Sequence, residues 1–181
     1  SPTASGKSLI IYALIRYYEG KKSLIIVPTT SLVSQLYTDF NDYGKNEGWK
    51  SKQHVHYIMS GRDKQSTMPI TISTWQSLYK MPKQYFEQYD VIVGDECHLF
   101  KAKSLTAIMT KLVNAKYRFG TTGTLDDAQT HKLVLEGLFG RVKRVTTTKE
   151  LIDKKQLSKF EIKAITLKYP EDICRGMSRK K

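Results

Sequence analysis

Lys7 and Ser8 close the run Ser-Pro-Thr-Ala-Ser-Gly-Lys-Ser (residues 1–8), and Asp95 and Glu96 stand side by side in Val-Gly-Asp-Glu-Cys-His (93–98). A lysine and a hydroxyl behind a glycine turn suit phosphate oxygens and a hard divalent cation. Adjacent carboxylates suit that cation and a water awaiting deprotonation. The two runs therefore read as halves of one site for ATP and Mg²⁺. The P-loop pattern asks for Gly, four free positions, then Gly-Lys-Ser/Thr. Gly6, Lys7 and Ser8 fit it, while Ser1 stands where the first glycine belongs. On this reading Thr3, Ala4, Ser5, Gly6, Lys7 and Ser8 wrap the phosphates, with Lys7 on the β/γ oxygens and Ser8 on Mg²⁺. Asp95 is the second metal ligand, and Glu96 orients and deprotonates the attacking water.

Such side chains need strands and helices to converge. Leu9–Tyr18 is helix-compatible and Gly20 is a helix stop, so the P-loop is followed by a helix whose positive end faces the phosphates. Tyr89–Val93 reads as a buried strand that delivers Gly94, Asp95 and Glu96 to its carboxyl end, where ligands bind in open α/β sheets. Leu24–Val27 is a second apolar strand, ended by Pro28. Leu32, Val33, Leu36, Tyr37 and Phe40 then recur at helical spacing up to Gly44. Further strands are expected over His54–Met59, Pro69–Thr74 and Tyr117–Gly120, and further helices over Trp75–Lys80 and Ser104–Val113. Alternating strands and helices imply right-handed crossovers and a mainly parallel sheet flanked by helices. Beyond these, Leu133–Phe139 reads as a helix, Arg141–Thr147 as β-prone and Lys149–Gln156 as a short charged helix. Phe160–Tyr169 alternates apolar and polar with a phase slip at Ala164–Ile165, and the chain ends in basic residues.

Five motifs, in order, resemble those of the DExH branch of superfamily 2 helicases. Thr3–Ser8 is similar to motif I, Val27-Pro28-Thr29-Thr30-Ser31-Leu32 to motif Ia and Ile72-Ser73-Thr74-Trp75-Gln76 to the Ib region. Asp95-Glu96-Cys97-His98 is similar to motif II and Thr122-Gly123-Thr124 to motif III. Within that branch, residues 25–30, 74–76, 95–99, 145–148 and 161–163 look like those of phage recombination and branch-migration helicases. The resemblance implies a RecA-like lobe that binds ATP in an enzyme acting on branched DNA in recombination, repair and replication. Alternatives are an RNA helicase, a restriction-type translocase, or a nucleotide-regulated DNA-binding or annealing module.

The resemblance also implies roles for other residues. Pro28, Thr29, Thr30, Ser60, Gly61, Arg62 and Thr74 would meet the backbone of one nucleic-acid strand, branched or single-stranded DNA being the expected partner. Short hydroxyls and N–H groups at strand ends grip phosphate without reading sequence. A second reading makes Thr29 to Ser31 a helix N-cap and Ser60-Gly61 a turn. His98, Thr122, Gly123 and Thr124 would couple the γ-phosphate to lobe movement. A zinc reading of Cys97-His98 lacks further ligands at suitable spacing.

Composition fits this picture. Lys and Arg total 30 against 17 Asp and Glu in 181 residues, a net charge of +13 that favours a polyanionic partner. An apolar content of 40% excludes a disordered basic tail. Two cysteines exclude a disulfide framework and point to a reducing cytoplasm, that of a bacterial host if the gene is a phage's. No apolar run spans a bilayer, and the start is unlike a signal peptide. The expected division is an ATP-binding lobe over 1–145 and a β-prone extension and connector over 146–181. The family's strand before the P-loop and its second lobe, which carries an arginine completing the site, have no counterpart in the sequence. The chain alone is accordingly expected to hydrolyse ATP slowly.

Overall fold

A computed structural model describes residues 6–100, 102–123, 129–143, 145–155 and 158. The α1 helix (Lys7–Tyr17) leads into β1 (Ser23–Val27), then α2 (Thr30–Gly44), α3 (Ser51–His54) and β2 (Val55–Tyr57). Next come β3 (Ile70–Thr74), α4 (Trp75–Leu78), α5 (Lys83–Phe86) and β4 (Val91–Gly94). The chain continues through α6 (Ala102–Met109), β5 (Tyr117–Gly120), α7 (Gln129–Phe139) and α8 (Thr148–Asp153). The five strands form one sheet in the order β2-β3-β1-β4-β5, and every pairing is parallel.

The continuous apolar run of β1 is explained by its place at the centre of the sheet. Successive side chains of a strand face opposite ways, so Leu24 and Ile26 enter one core and Ile25 and Val27 the other. Leu24 and Ile26 pack with Ile92, Leu105, Ile108 and Leu135, which brings α6 and α7 onto that face. Ile25 and Val27 pack with Ile11, Ile15, Val33, Leu36 and Phe40, which brings α1 and α2 onto the other. Fully burying each such aliphatic side chain is worth about 1.5–3 kcal/mol, so two covered faces hold the strand ends in fixed positions. Trp75 is part-buried against the first of these cores.

Most expected elements form within two or three residues of their anticipated limits, while α6 ends at Met109 and α7 starts at Gln129, each four residues from its expected bound. The strand expected over His54–Met59 shrinks to Val55–Tyr57, because His54 closes α3 and stacks on Trp49 with ring centroids 4.9 Å apart. Arg141–Thr147 is not β: its described residues form no strand, and Thr147 instead caps α8. The cause is a capping box, in which the Thr147 hydroxyl accepts from the Glu150 N–H and the Glu150 carboxylate accepts from the Thr147 N–H. The short charged helix expected over Lys149–Gln156 forms as α8, ending at Asp153. The alternating segment Phe160–Tyr169 and the basic end lie outside the described residues. No helix among the described residues is long and apolar enough to cross a membrane.

Candidate active site

Parallel pairing sends every strand's carboxyl end to the same edge of the sheet. Val27 lies opposite Thr74 in register, Ile26 opposite Gly94, and Gly94 opposite Gly120. Pro28–Thr30, Thr74, Asp95–His98 and Thr121–Gly123 consequently emerge side by side. The start of α1 joins them through an ion pair between Lys7 Nζ and Glu96 Oε1.

Asp95 is held in place by its surroundings. Its N–H donates to Ile26 O (2.9 Å), and its Oδ1 accepts from the Thr121 hydroxyl (2.7 Å) and the Glu96 N–H (3.0 Å). Burial pushes its carboxyl above the usual aspartate range, partly offset by the Thr121 hydrogen bond. Glu96 behaves in the opposite way. Its backbone sits at φ 47°, in the left-handed region that non-glycine residues seldom adopt. From there its carboxylate reaches Lys7 and accepts from the Gly123 N–H (3.1 Å). Burial alone would raise the Glu96 pKa, but hydrogen bonds from Lys7 and Gly123 bring it below the ordinary glutamate value. His98 Nδ1 lies 3.4 Å from Glu96 Oε2 and 2.6 Å from the Thr122 hydroxyl. Lys7, Glu96, His98, Thr122 and Gly123 therefore form one connected network, which brings the expected catalytic pair together with the expected coupling residues.

The α7 helix closes this edge from one side. A Cβ built on Gly94 would lie 2.9 Å from Phe139 Cζ, and one on Gly120 would lie 3.0 Å from Phe139 Cγ. The ring thus occupies the space that glycines leave at the ends of β4 and β5. Beside Lys7 and Gly123 opens a cavity of 710 Å³ whose lining includes Arg118, Lys132, Arg141 and Lys143 and, among the described residues, no carboxylate.

The residues present fit a triphosphate with Mg²⁺. The Lys7 ammonium is buried, and Glu96 is its one partner among the described residues, which offer no acceptor for the other two N–H donors. Gly6 caps α1 at φ 75°, and among the described residues beyond its chain neighbours no atom lies within 4 Å of a would-be Cβ, which leaves room for an anion against the backbone. Ser8 and Asp95 offer the hard oxygen ligands that Mg²⁺ prefers, and both hydrogen bonds of the Asp95 carboxylate fall on Oδ1. The Ser8 hydroxyl meets the Tyr43 hydroxyl at 2.7 Å, a partner without a signal in the sequence. Thr3, Ala4, Ser5 and Thr124 lie outside the described residues.

The expected nucleic-acid residues divide by exposure. Thr29, Thr30, Ser60, Gly61 and Arg62 are exposed, whereas Pro28 and Thr74 are buried. Thr29 does cap α2, its hydroxyl accepting from the Leu32 N–H (3.3 Å). The Thr74 hydroxyl turns to Ser77 (3.0 Å), so that Thr29 and Thr30 are the exposed threonines of the set. Gln76 Nε2 donates to Pro28 O (3.3 Å) and ties the two segments together. Thr121 and Phe139 were not expected to shape this edge, and Gln76 stood in the Ib segment without a role of its own. Adjacency to motif III was the one available hint for Thr121.

Residues 1–127 match the family described as Type III restriction enzyme, res subunit. The chain belongs to that family. It is a RecA-like lobe of the superfamily 2 helicase class. It is 36% identical to the ATP-dependent DNA helicase uvsW of Enterobacteria phage T4 over 99% of its own length and 36% of the relative's. It is 27% identical to the DNA 3'-5' translocase XPB2 of Sulfurisphaera tokodaii, over 91% of this chain and 35% of the other. A crystal structure of the UvsW helicase from Bacteriophage T4 superposes with a TM-score of 0.67 at 38% identity, covering 77% of this chain and 51% of that one. The chain thus spans about a third of the length of these two curated relatives.

Proposed function

We propose that this lobe belongs to an ATP-dependent DNA helicase or translocase that remodels branched DNA in recombination, repair and replication. One observation carries the reading: Lys7, Glu96 and Gly123, from three separated motifs, meet at the carboxyl edge of a parallel sheet. The DNA helicase and translocase activities named for the two relatives support DNA as the partner. Bound ATP would supply the phosphoanhydride bond whose hydrolysis drives movement, with Mg²⁺ offsetting phosphate charge. Lys7, Gly6 and Ser8 would hold the phosphates, with Ser8 and Asp95 as metal ligands. Glu96, once its carboxylate is released from Lys7, would align and deprotonate water. The His98–Thr122 pair would pass that change along motif III, toward Thr124. A second lobe of the same protein, reached through residues 146–181, would close over the lobe formed by 1–145 and complete the site. Action in the cytoplasm, that of a bacterial host for a phage protein, follows from this reading.

ATPase rates of the full-length protein over branched DNA, linear duplex, single strands and RNA test it. Greatest stimulation by branched DNA is the expected result, and stimulation by RNA alone would refute it.

A further inference from the structure

The loop after β2 holds the closest cation–ring contact of the described residues. Arg62 Cζ lies 3.7 Å from the Tyr57 ring centroid, while every other such contact is 5.5 Å or longer. At 3.7 Å the guanidinium carbon touches the ring; at 5.5 Å a side chain merely hangs above it. The ring is itself braced, since Tyr37 of α2 meets Tyr57 edge-on with centroids 4.9 Å apart at 62°. Gly61 at φ 81° turns the chain, and the Arg62 N–H donates to Met59 O (3.1 Å), which directs the side chain back over the strand. Arg62 is exposed, and no carboxylate of the described residues forms an ion pair with it. A flat cation with one face on a ring and the rest in water is suited to a flat, π-rich ligand.

The neighbourhood says which ligand. Met59 Sδ lies 3.8 Å from the hydroxyl of Ser34 on the first turns of α2, so this loop adjoins the helix start where Thr29 and Thr30 are exposed. Hydroxyls and helix N–H groups for phosphate beside an arginine plane for a base form a strip suited to an unpaired strand.

We propose that Arg62, held on Tyr57, is a stacking platform for one unpaired base of single-stranded DNA, with Tyr57 as its positioning residue. The proposal rests on the DNA reading above and deepens it: Arg62 holds a base face where the motif resemblance implied only phosphate. An arginine acting on phosphate alone works as a charge, and lysine replaces it. An arginine acting as a plane cannot be so replaced.

The test uses the full-length protein and an oligothymidylate carrying one abasic tetrahydrofuran residue, stepped through the binding site and read by fluorescence anisotropy. Affinity should fall by about fivefold or more at one position and hold elsewhere, in line with the cost of losing one stacked base. In Arg62→Lys that drop should vanish while the salt dependence of binding stays the same, because the charge is kept. Tyr57→Phe should behave as wild type, and Tyr57→Leu as Arg62→Lys. A flat abasic profile in wild type overturns the platform, as does an Arg62→Lys protein that keeps the drop. If Tyr57→Leu keeps it, Tyr57 has no positioning role. DNA-stimulated ATPase with a flat profile sinks this proposal alone, whereas no stimulation by any DNA sinks the functional reading and the platform with it.

Discussion

Replacing Glu96 by glutamine should tighten nucleotide binding while abolishing turnover. In the structure Glu96 occupies the ammonium that a phosphate needs, so ATP must displace a carboxylate before Lys7 can serve it. The side chains are 12% and 21% exposed for Lys7 and Glu96. The pair therefore lies between surface ion pairs, worth about 0–1 kcal/mol, and fully buried ones, whose breakage costs about 3–5 kcal/mol. A value of about 1–2 kcal/mol follows, equal to about 5- to 30-fold in affinity. Glutamine keeps the acceptor for Gly123 and a weaker one for Lys7, so the gain should fall toward the lower end. Loss of the general base should cut hydrolysis by about 10²- to 10⁴-fold. Without nucleotide, the Lys7 charge loses its counterion, and the midpoint of thermal unfolding should drop by a few degrees, about 2–4 °C per kcal/mol. Titration of a fluorescent ATP analogue without Mg²⁺, alongside thermal unfolding with and without ATP, separates these effects. The reasoning is refuted if Glu96→Gln binds nucleotide no better than wild type, or if it hydrolyses ATP at a comparable rate.

Other expectations concern the same edge. Because the folded Glu96 pKa is lowered, its stabilising contribution is complete above the ordinary glutamate pKa and is lost as pH falls through the lowered value. Acid unfolding should accordingly be shallower in Glu96→Gln over that window, and superimposable denaturation midpoints against pH for the two proteins would count against the pair. Gly94→Ala should cost about 1–3 kcal/mol by pressing a methyl group on Phe139, with partial recovery in Gly94→Ala/Phe139→Leu measured by urea unfolding. Burial pushes the Cys97 thiol up to about 12. In a Cys174→Ser background the native protein should thus resist thiol reagents at pH 8, and rapid native labelling would show the site to be open.

The α/β frame was legible because its strands announce themselves. Leu24–Val27 is apolar throughout and ends at Pro28, and a central parallel strand requires that pattern. Motif spacing marked Lys7, Asp95 and Glu96, and topology alone then brought them to one edge. The pairing of Lys7 with Glu96 was not legible, since it depends on the left-handed backbone at Glu96, which no local propensity announces. Arg141–Thr147 misled because valine and threonine favour strands in isolation, while Thr147 and Glu150 form a start signal for a helix that outweighs them. Phe139 was equally hidden: its role arises from two distant glycines, Gly94 and Gly120, that adjoin only after the sheet forms.

Junction movement by the full-length protein is the most direct test of the central claim that the Lys7–Glu96 site drives DNA remodelling. A synthetic four-way junction should be resolved with ATP and Mg²⁺ by the wild type, and not by Lys7→Ala, although that variant still binds the junction. Equal junction movement by Lys7→Ala and wild type would contradict the account.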